Sequence, residues 1–121
     1  MAEDVGVGVV GVKYLLSVQD MARAVAFYRD TVGLVVKESS PYWSELFFGN
    51  AIVALHGGGR GETRHTSLSL TVRDIVSACD VVRRGGARSV SQPEDRGDEG
   101  IILAEFVDTE GNVVMLSQDK R

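Results

Sequence analysis

Apolar positions in this chain switch between an alternating and a helical period, and each switch marks an element boundary. From Val9 to Val18 the residues are apolar and β-branched with no helical repeat, which predicts a strand. Asp20 follows as an N-cap. Met21, Ala24, Val25, Phe27, Tyr28 and Val32 then recur at helical spacing until Gly33 ends the run. Leu34 to Glu38 reads as a second strand, Ser39-Ser40-Pro41 as a turn and Trp43 to Phe48 as a third strand. The tight turn Gly49-Asn50 joins it to a fourth, Ala51 to His56, in a hairpin. Gly57 to Glu62, with four glycines, is the longest flexible stretch and the natural linker. It lacks the Gly-Lys-Ser/Thr ending and the following helix that a phosphate-binding loop needs.

The second half repeats the plan. Thr66 to Val72 predicts a strand. Asp74 caps a helix carrying Ile75, Ala78, Cys79, Val81 and Val82, which ends at Gly85-Gly86. Ala87 to Val90 reads as a short strand, Gln92 to Gly97 as a polar loop, Gly100 to Val107 as a strand, Asp108 to Asn112 as a turn and Val113 to Ser117 as the last strand. Val18-Gln19-Asp20-Met21 with Ala24 matches Val72-Arg73-Asp74-Ile75 with Ala78, and Gly49-Asn50 matches Gly111-Asn112. The expected fold is therefore α+β: two βαβββ modules, residues 9–57 and 64–118, forming curved mixed sheets around a cleft within one domain spanning 1–121. One module alone covers only one side of a sheet, so the two must pack together to bury a core.

Composition narrows the functional classes. With 121 residues, 44% hydrophobic and 25% charged, the chain can bury a core without staples. Its single cysteine, Cys79, excludes an intrachain disulfide and reads as a small buried hydrophobe. A net charge of −4 with scattered basic residues argues against nucleic acid. Arg83-Arg84 complements the end of the second helix. The acidic start shows no leader, and no apolar run is long enough for a membrane span, so a cytoplasmic protein with no membrane partner is expected. Residues 1–4 and 119–121 are polar and expected to fray.

Val18-Gln19-Asp20-Met21, Ala26-Phe27-Tyr28 and Gly33-Leu34 together resemble the first-module signature of the vicinal oxygen chelate superfamily. That superfamily includes glyoxalase I, extradiol dioxygenases and bleomycin-resistance proteins. Phe106 to Asn112 resembles its Asp-Pro-Asp-Gly-Asn turn, with Thr109 and Glu110 in place of Pro and Asp. The resemblance runs from Val9 to Gln118. It implies a cleft in which His, Glu or Gln from the first, fourth, fifth and eighth strands hold a divalent ion that chelates substrate oxygens. It also implies a homodimer, with each cleft built within one chain or across two.

The positions that correspond to those ligands are Lys13, Ala54, Ser67 and Met115. An ammonium has no lone pair, alanine has no donor, and a lone hydroxyl or a thioether suits this metal chemistry poorly. No metal and no other cofactor is expected there. A displaced site on His56 and His65, completed by Glu45 or Glu105, is the fallback; the alternative is that both histidines are merely solvated.

Without a metal, the resemblance implies sequestration: a small, flat, aromatic ligand in a largely apolar cleft. Candidate ligand-binding residues are Lys13, Trp43, Glu45, Phe47, Ser67, Glu105 and Met115. Trp43 suits stacking on a flat ring, or equally a place in the core or a dimer interface. One of Phe47 and Phe48, which point to opposite faces, is expected in the core. Glu45, on the face of Trp43 and Phe47, reads as a receiver for a cationic ligand or as a solvated strand residue. Lys13 among apolar walls needs an anionic partner, Glu105 or a ligand acid, unless it snorkels to solvent. Three classes compete: a binding protein sequestering an antibiotic or secondary metabolite; a lyase, isomerase or dioxygenase using a displaced metal, or Lys13 or Glu105 as acid or base; and an interaction module with a filled cleft.

Overall fold

Asp20 and Asp74 start the two helices in the same way. Each side chain accepts a hydrogen bond from the backbone N–H three residues on, Arg23 at 3.0 Å and Ser77 at 3.1 Å. The computed structural model describes residues 6–120. Its first helix, α1 (Met21–Ala26), widens into a π-helical turn (Phe27–Val32), which Gly33 ends in the left-handed region at φ 93°. The second, α2 (Ile75–Arg84), is regular, with Arg83 and Arg84 in its last turn.

The strands of the first half are β1 (Lys13–Val18), β2 (Val35–Ser39), β3 (Trp43–Phe48) and β4 (Ala51–Gly57), in the sheet order β1-β4-β3-β2. The second half supplies β5 (Arg64–Thr71), β6 (Ser89–Val90), β7 (Glu94–Asp95), β8 (Ile101–Val107) and β9 (Asn112–Asp119), ordered β5-β9-β8-β6 with β7 also on β8. The first strand of each sheet runs parallel to the last, and the remaining pairs are antiparallel. Counting β6 and β7 as one strand interrupted near Pro93, which has no N–H for the ladder, each half is a βαβββ unit.

Leu16, Val18, Leu46, Val53 and Leu55 from the first sheet share one buried cluster with Leu68, Ala104, Phe106, Val114 and Leu116 from the second. The helices complete that cluster with Ala24, Phe27, Tyr28, Ile75, Cys79 and Val82. Phe27 packs edge-on to Tyr28 at 5.2 Å and against Phe106 of the other half at 5.8 Å. Strand alternation then turns the opposite face of each sheet away from this common core.

The turn between β8 and β9, Asp108 to Asn112, joins the two halves. Its polar side chains are buried. Glu110 Oε1 accepts from the backbone N–H of Gln19 (2.9 Å) and Asp20 (2.8 Å), while Arg23 donates from Nε to Oε2 at 2.7 Å. Asp108 accepts from the Tyr28 hydroxyl at 2.6 Å, and Asn112 Nδ2 donates to the Ser17 carbonyl at 2.8 Å. Burial first, and then the Asp108 carboxylate, push the Tyr28 phenol well above its ordinary range, so it stays a neutral donor. Gly111 sits at φ 97°, and a Cβ there would collide with the Glu62 carbonyl. Gly111→Ala is therefore expected to cost roughly 2–4 kcal/mol, from left-handed strain plus a backbone shift. A urea midpoint within error of the parent would contradict this.

Several expectations change. Val9, Val10 and Val12 lie outside β1 and are exposed, because beyond the Lys13–Ile52 pair β4 has only Ala51 left. The polar loop at 92–97 contains β7 and runs into a 3-10 turn at Gly97–Glu99. The glycine segment is tied down at its start: Gly57 ends β4, and the Gly59 N–H donates to the Val18 carbonyl at 2.9 Å. Asp119 belongs to β9, and Lys120 is anchored to Asp95 at 2.8 Å. The fraying expected at 1–4 and 121 lies outside the described residues. Cys79 is buried, and desolvation raises its thiol pKa.

Candidate ligand-binding face

Strand pairing places the site residues of the first half on one surface. Across the sheet, Leu15 lies opposite Ala54, and Ala54 opposite Glu45. Trp43 pairs with His56, and Phe47 with both Ile52 and Val35. With Lys13 opposite Ile52, these residues form the face of the first sheet turned from the core. A bulge at Lys37, between Val36 and Glu38, directs that side chain toward Glu45 as well.

Glu45 organises the surface. It is 2% exposed. Its Oε2 accepts from Lys13 Nζ at 2.6 Å and from the Trp43 indole N–H at 2.8 Å. Oε1 is 3.6 Å from Lys37 Nζ and has no hydrogen-bond partner. The bonds from Lys13 and Trp43 outweigh desolvation and hold the Glu45 carboxyl below its ordinary pKa. The indole is fixed at its nitrogen, while its ring is only half-buried and meets His56 edge-on at 6.1 Å. Around this ionic centre lie the exposed Leu15 and Val35 and the half-buried Phe47 and Ile52. The surface can therefore stack a flat apolar body beside a small polar centre of one carboxylate and two ammoniums.

The remaining candidates stand on the second sheet. Glu105 pairs with Met115, and Ser67 lies in β5 where the register shifts between His65 and Ser69. Within one chain these residues are not brought to Lys13. The anionic partner of Lys13 is Glu45 rather than Glu105, because β1 and β3 flank the same strand. Nor is Glu45 a solvated strand residue. A cationic ligand would have to displace Lys13. Of the two phenylalanines neither is core: Phe47 is half-buried and Phe48 is 76% exposed.

The side chains at the positions that the resemblance assigns to metal ligands do not fit a divalent ion. Lys13 Nζ is committed to Glu45, and Ala54, Ser67 and Met115 offer no anionic or imidazole ligand. Among the described residues no three of His, Cys, Asp and Glu are grouped to hold a metal, so the fallback pairing of His56 and His65 with Glu45 or Glu105 is not assembled. Sequence reasoning missed Lys37, whose approach depends on the bulge. No local signal announces it.

Two concavities lie elsewhere. An apolar groove of about 680 Å³ separates the halves, lined by Tyr14, Phe48, Leu68, Leu70 and α2. A shallower hollow surrounds the start of α1.

The family model for the Glyoxalase/Bleomycin resistance protein/Dioxygenase superfamily matches residues 11–116. No curated protein matches. Among solved structures, TnmS3, an antibiotic binding protein from Streptomyces sp. CB03234, superposes with a TM-score of 0.69 at 23% identity, covering 91% of this chain and 97% of that one. The bleomycin-binding protein of Streptomyces verticillus, complexed with copper(II)-bleomycin, gives 0.68 at 15% identity, covering 92% and 97%. The fosfomycin resistance protein FosX from Listeria monocytogenes gives 0.75 at 12% identity, covering 91% and 93%. At these identities the likeness is one of fold.

Proposed function

The chain belongs to the Glyoxalase/Bleomycin resistance protein/Dioxygenase superfamily, and on that footing we propose that it is a metal-free binding protein sequestering a small aromatic or polycyclic molecule in the cytoplasm. The observation that carries this reading is Trp43. Its indole N–H is held by Glu45 and Lys13 Nζ stands 5.8 Å from its ring centroid, while the ring stays half-exposed beside the apolar Leu15, Val35 and Phe47. A rigid, part-exposed aromatic with a satisfied N–H gives contact area at small entropic cost. TnmS3 is an antibiotic binding protein and the Streptomyces verticillus protein of the same fold binds bleomycin, which agrees with a sequestering role. An acid–base role for Lys13 gains no support, since its ammonium is spent on a buried carboxylate.

The face is open on its outer side. A second copy of the chain, placing its Ser67, Glu105 and Met115 over this surface, would make it a cleft, and we include a homodimer with two such sites in the proposal. The exposed apolar residues Leu15 and Val35, which stand on this face, would be covered in such a pair. Light scattering at micromolar concentration should then give twice the 13.0 kDa chain mass. A monomer at every concentration would remove the dimer.

Trp43 is the only tryptophan, so intrinsic fluorescence reads the site directly. Titration with a panel of polycyclic aromatic antibiotics should quench it saturably for at least one member. Trp43→Ala should weaken that binding by roughly tenfold or more, followed calorimetrically. If no panel member binds, or if Trp43→Ala binds as tightly as the parent, the reading fails.

A further inference from the structure

Resting on that ligand-binding reading, we propose that Glu45 Oε1 is the polar anchor of the site, accepting a hydrogen bond from an uncharged O–H or N–H on the aromatic ligand. Oε1 belongs to a nearly fully buried side chain and has no hydrogen-bond partner, although its sister oxygen has two. Leaving a buried acceptor unsatisfied is costly, and such a group marks a place where a donor belongs.

The charges around it select the donor's class. Lys13 at 2.6 Å and Lys37 at 3.6 Å already compensate the carboxylate. A cationic ligand would bring a third positive group against two ammoniums. An anionic ligand would meet Glu45 itself and Glu38, its cross-strand neighbour on β2. An uncharged hydroxyl or amide meets neither penalty and gains a charge-assisted bond. Lys37 is the movable cover: its side chain is 54% exposed, and its ammonium stands beyond hydrogen-bond distance. A ligand ring lying on the Trp43 face could place a substituent at Oε1 while that long chain swings outward.

Four naphthalene probes separate these classes on one ring: 2-naphthol, its methyl ether, 2-naphthoate and naphthalen-2-ylmethylammonium. Binding to the full chain is followed through the single indole N–H signal of Trp43 in nitrogen–proton correlation spectra. The proposal expects 2-naphthol to bind at least fivefold more tightly than each of the other three. In Glu45→Gln that advantage should shrink below twofold, and in Lys37→Met, which uncovers Oε1, it should persist or grow. Equal binding of naphthol and its methyl ether overturns the proposal, as does preference for either ion. Absence of binding by all four also overturns it. The antibiotic panel then decides separately whether the ligand-binding reading stands. The parent-protein comparison needs no variant, so a misfolded Glu45→Gln would not rescue the idea.

Discussion

Replacing Glu110 by alanine is expected to destabilise the fold by about 3–5 kcal/mol, the scale of leaving two enclosed backbone N–H groups without an acceptor, with a smaller share from the half-exposed Arg23 pair. For a domain of this size that is a fall in Tm of roughly 10–20 °C. The substitution strands the backbone N–H groups of Gln19 and Asp20 and the Arg23 guanidinium, all of which converge on one carboxylate fully buried at the junction of the halves. Glu110→Gln should fall between parent and alanine. An amide oxygen can still serve the two N–H groups, but its NH2 would face Arg23 Nε. Arg23→Met should cost less than Glu110→Ala, because the carboxylate keeps its backbone donors and Thr109. The same site sets an acid limb. Burial alone pushes the Glu110 carboxyl up, but Arg23, the Asp20 N–H, Thr109 and the Gln19 N–H together outweigh it and lower the pKa from 4.5 to about 2. A depressed folded-state pKa contributes stability that is fully present above about pH 4.5 and is lost as pH falls through 2. The difference integrates to about 3 kcal/mol. Denaturation midpoints measured from pH 5 to pH 2 should therefore fall more steeply in the parent than in Glu110→Ala. Parallel curves would show that the clasp does not carry this dependence.

Lys13→Met should have the next largest effect, and it is read in two ways. Glu45 would lose its 2.6 Å partner while remaining enclosed, with Lys37 the nearest cation. Thermal stability at neutral pH should fall. Glu45 should also take up a proton at higher pH than in the parent. In the parent, its carboxyl is held low by Lys13 and the Trp43 indole, so its stabilising contribution is complete above its ordinary pKa and disappears only in stronger acid. Because Trp43 donates to the same oxygen, protonation of Glu45 should change the fluorescence of the single tryptophan. The midpoint of that acid transition should move upward in Lys13→Met and vanish in Glu45→Gln. If the transition persists in Glu45→Gln, the fluorescence reports some other group.

Local chemistry made much of the architecture legible in the chain. Asp20 and Asp74 cap their helices because a carboxylate three residues ahead of a free N–H needs nothing from elsewhere in the fold. Alternation likewise put Trp43, Glu45 and Phe47 on one face, since a strand's period does not depend on its partner. Repetition of cap, helix and hairpin carried the two-module plan and the family resemblance, and it was that resemblance which assigned Lys13, Ala54, Ser67 and Met115 to the metal positions.

What remained hidden depended on which strands become neighbours. Both Glu45 and Glu105 are carboxylates in alternating strands, and nothing within six residues of either says which meets Lys13. Sheet order decides it, by setting β1 and β3 on either side of β4. Val9 to Val12 have the composition of a strand, but a strand needs a ladder, and β4 ends too soon to provide one. The turn at Asp108 to Asn112 carries no local sign of its burial. It is buried because its carboxylates find Tyr28, Arg23 and the start of α1, some 80 to 90 residues earlier in the chain. The sequence by itself determined most of the elements and their repetition, because those follow from residue type and local period. Only the tertiary structure decided the partner of Lys13, the approach of Lys37 and the burial of Glu110, because the energy of a charge depends on its neighbours in space and on the water they exclude.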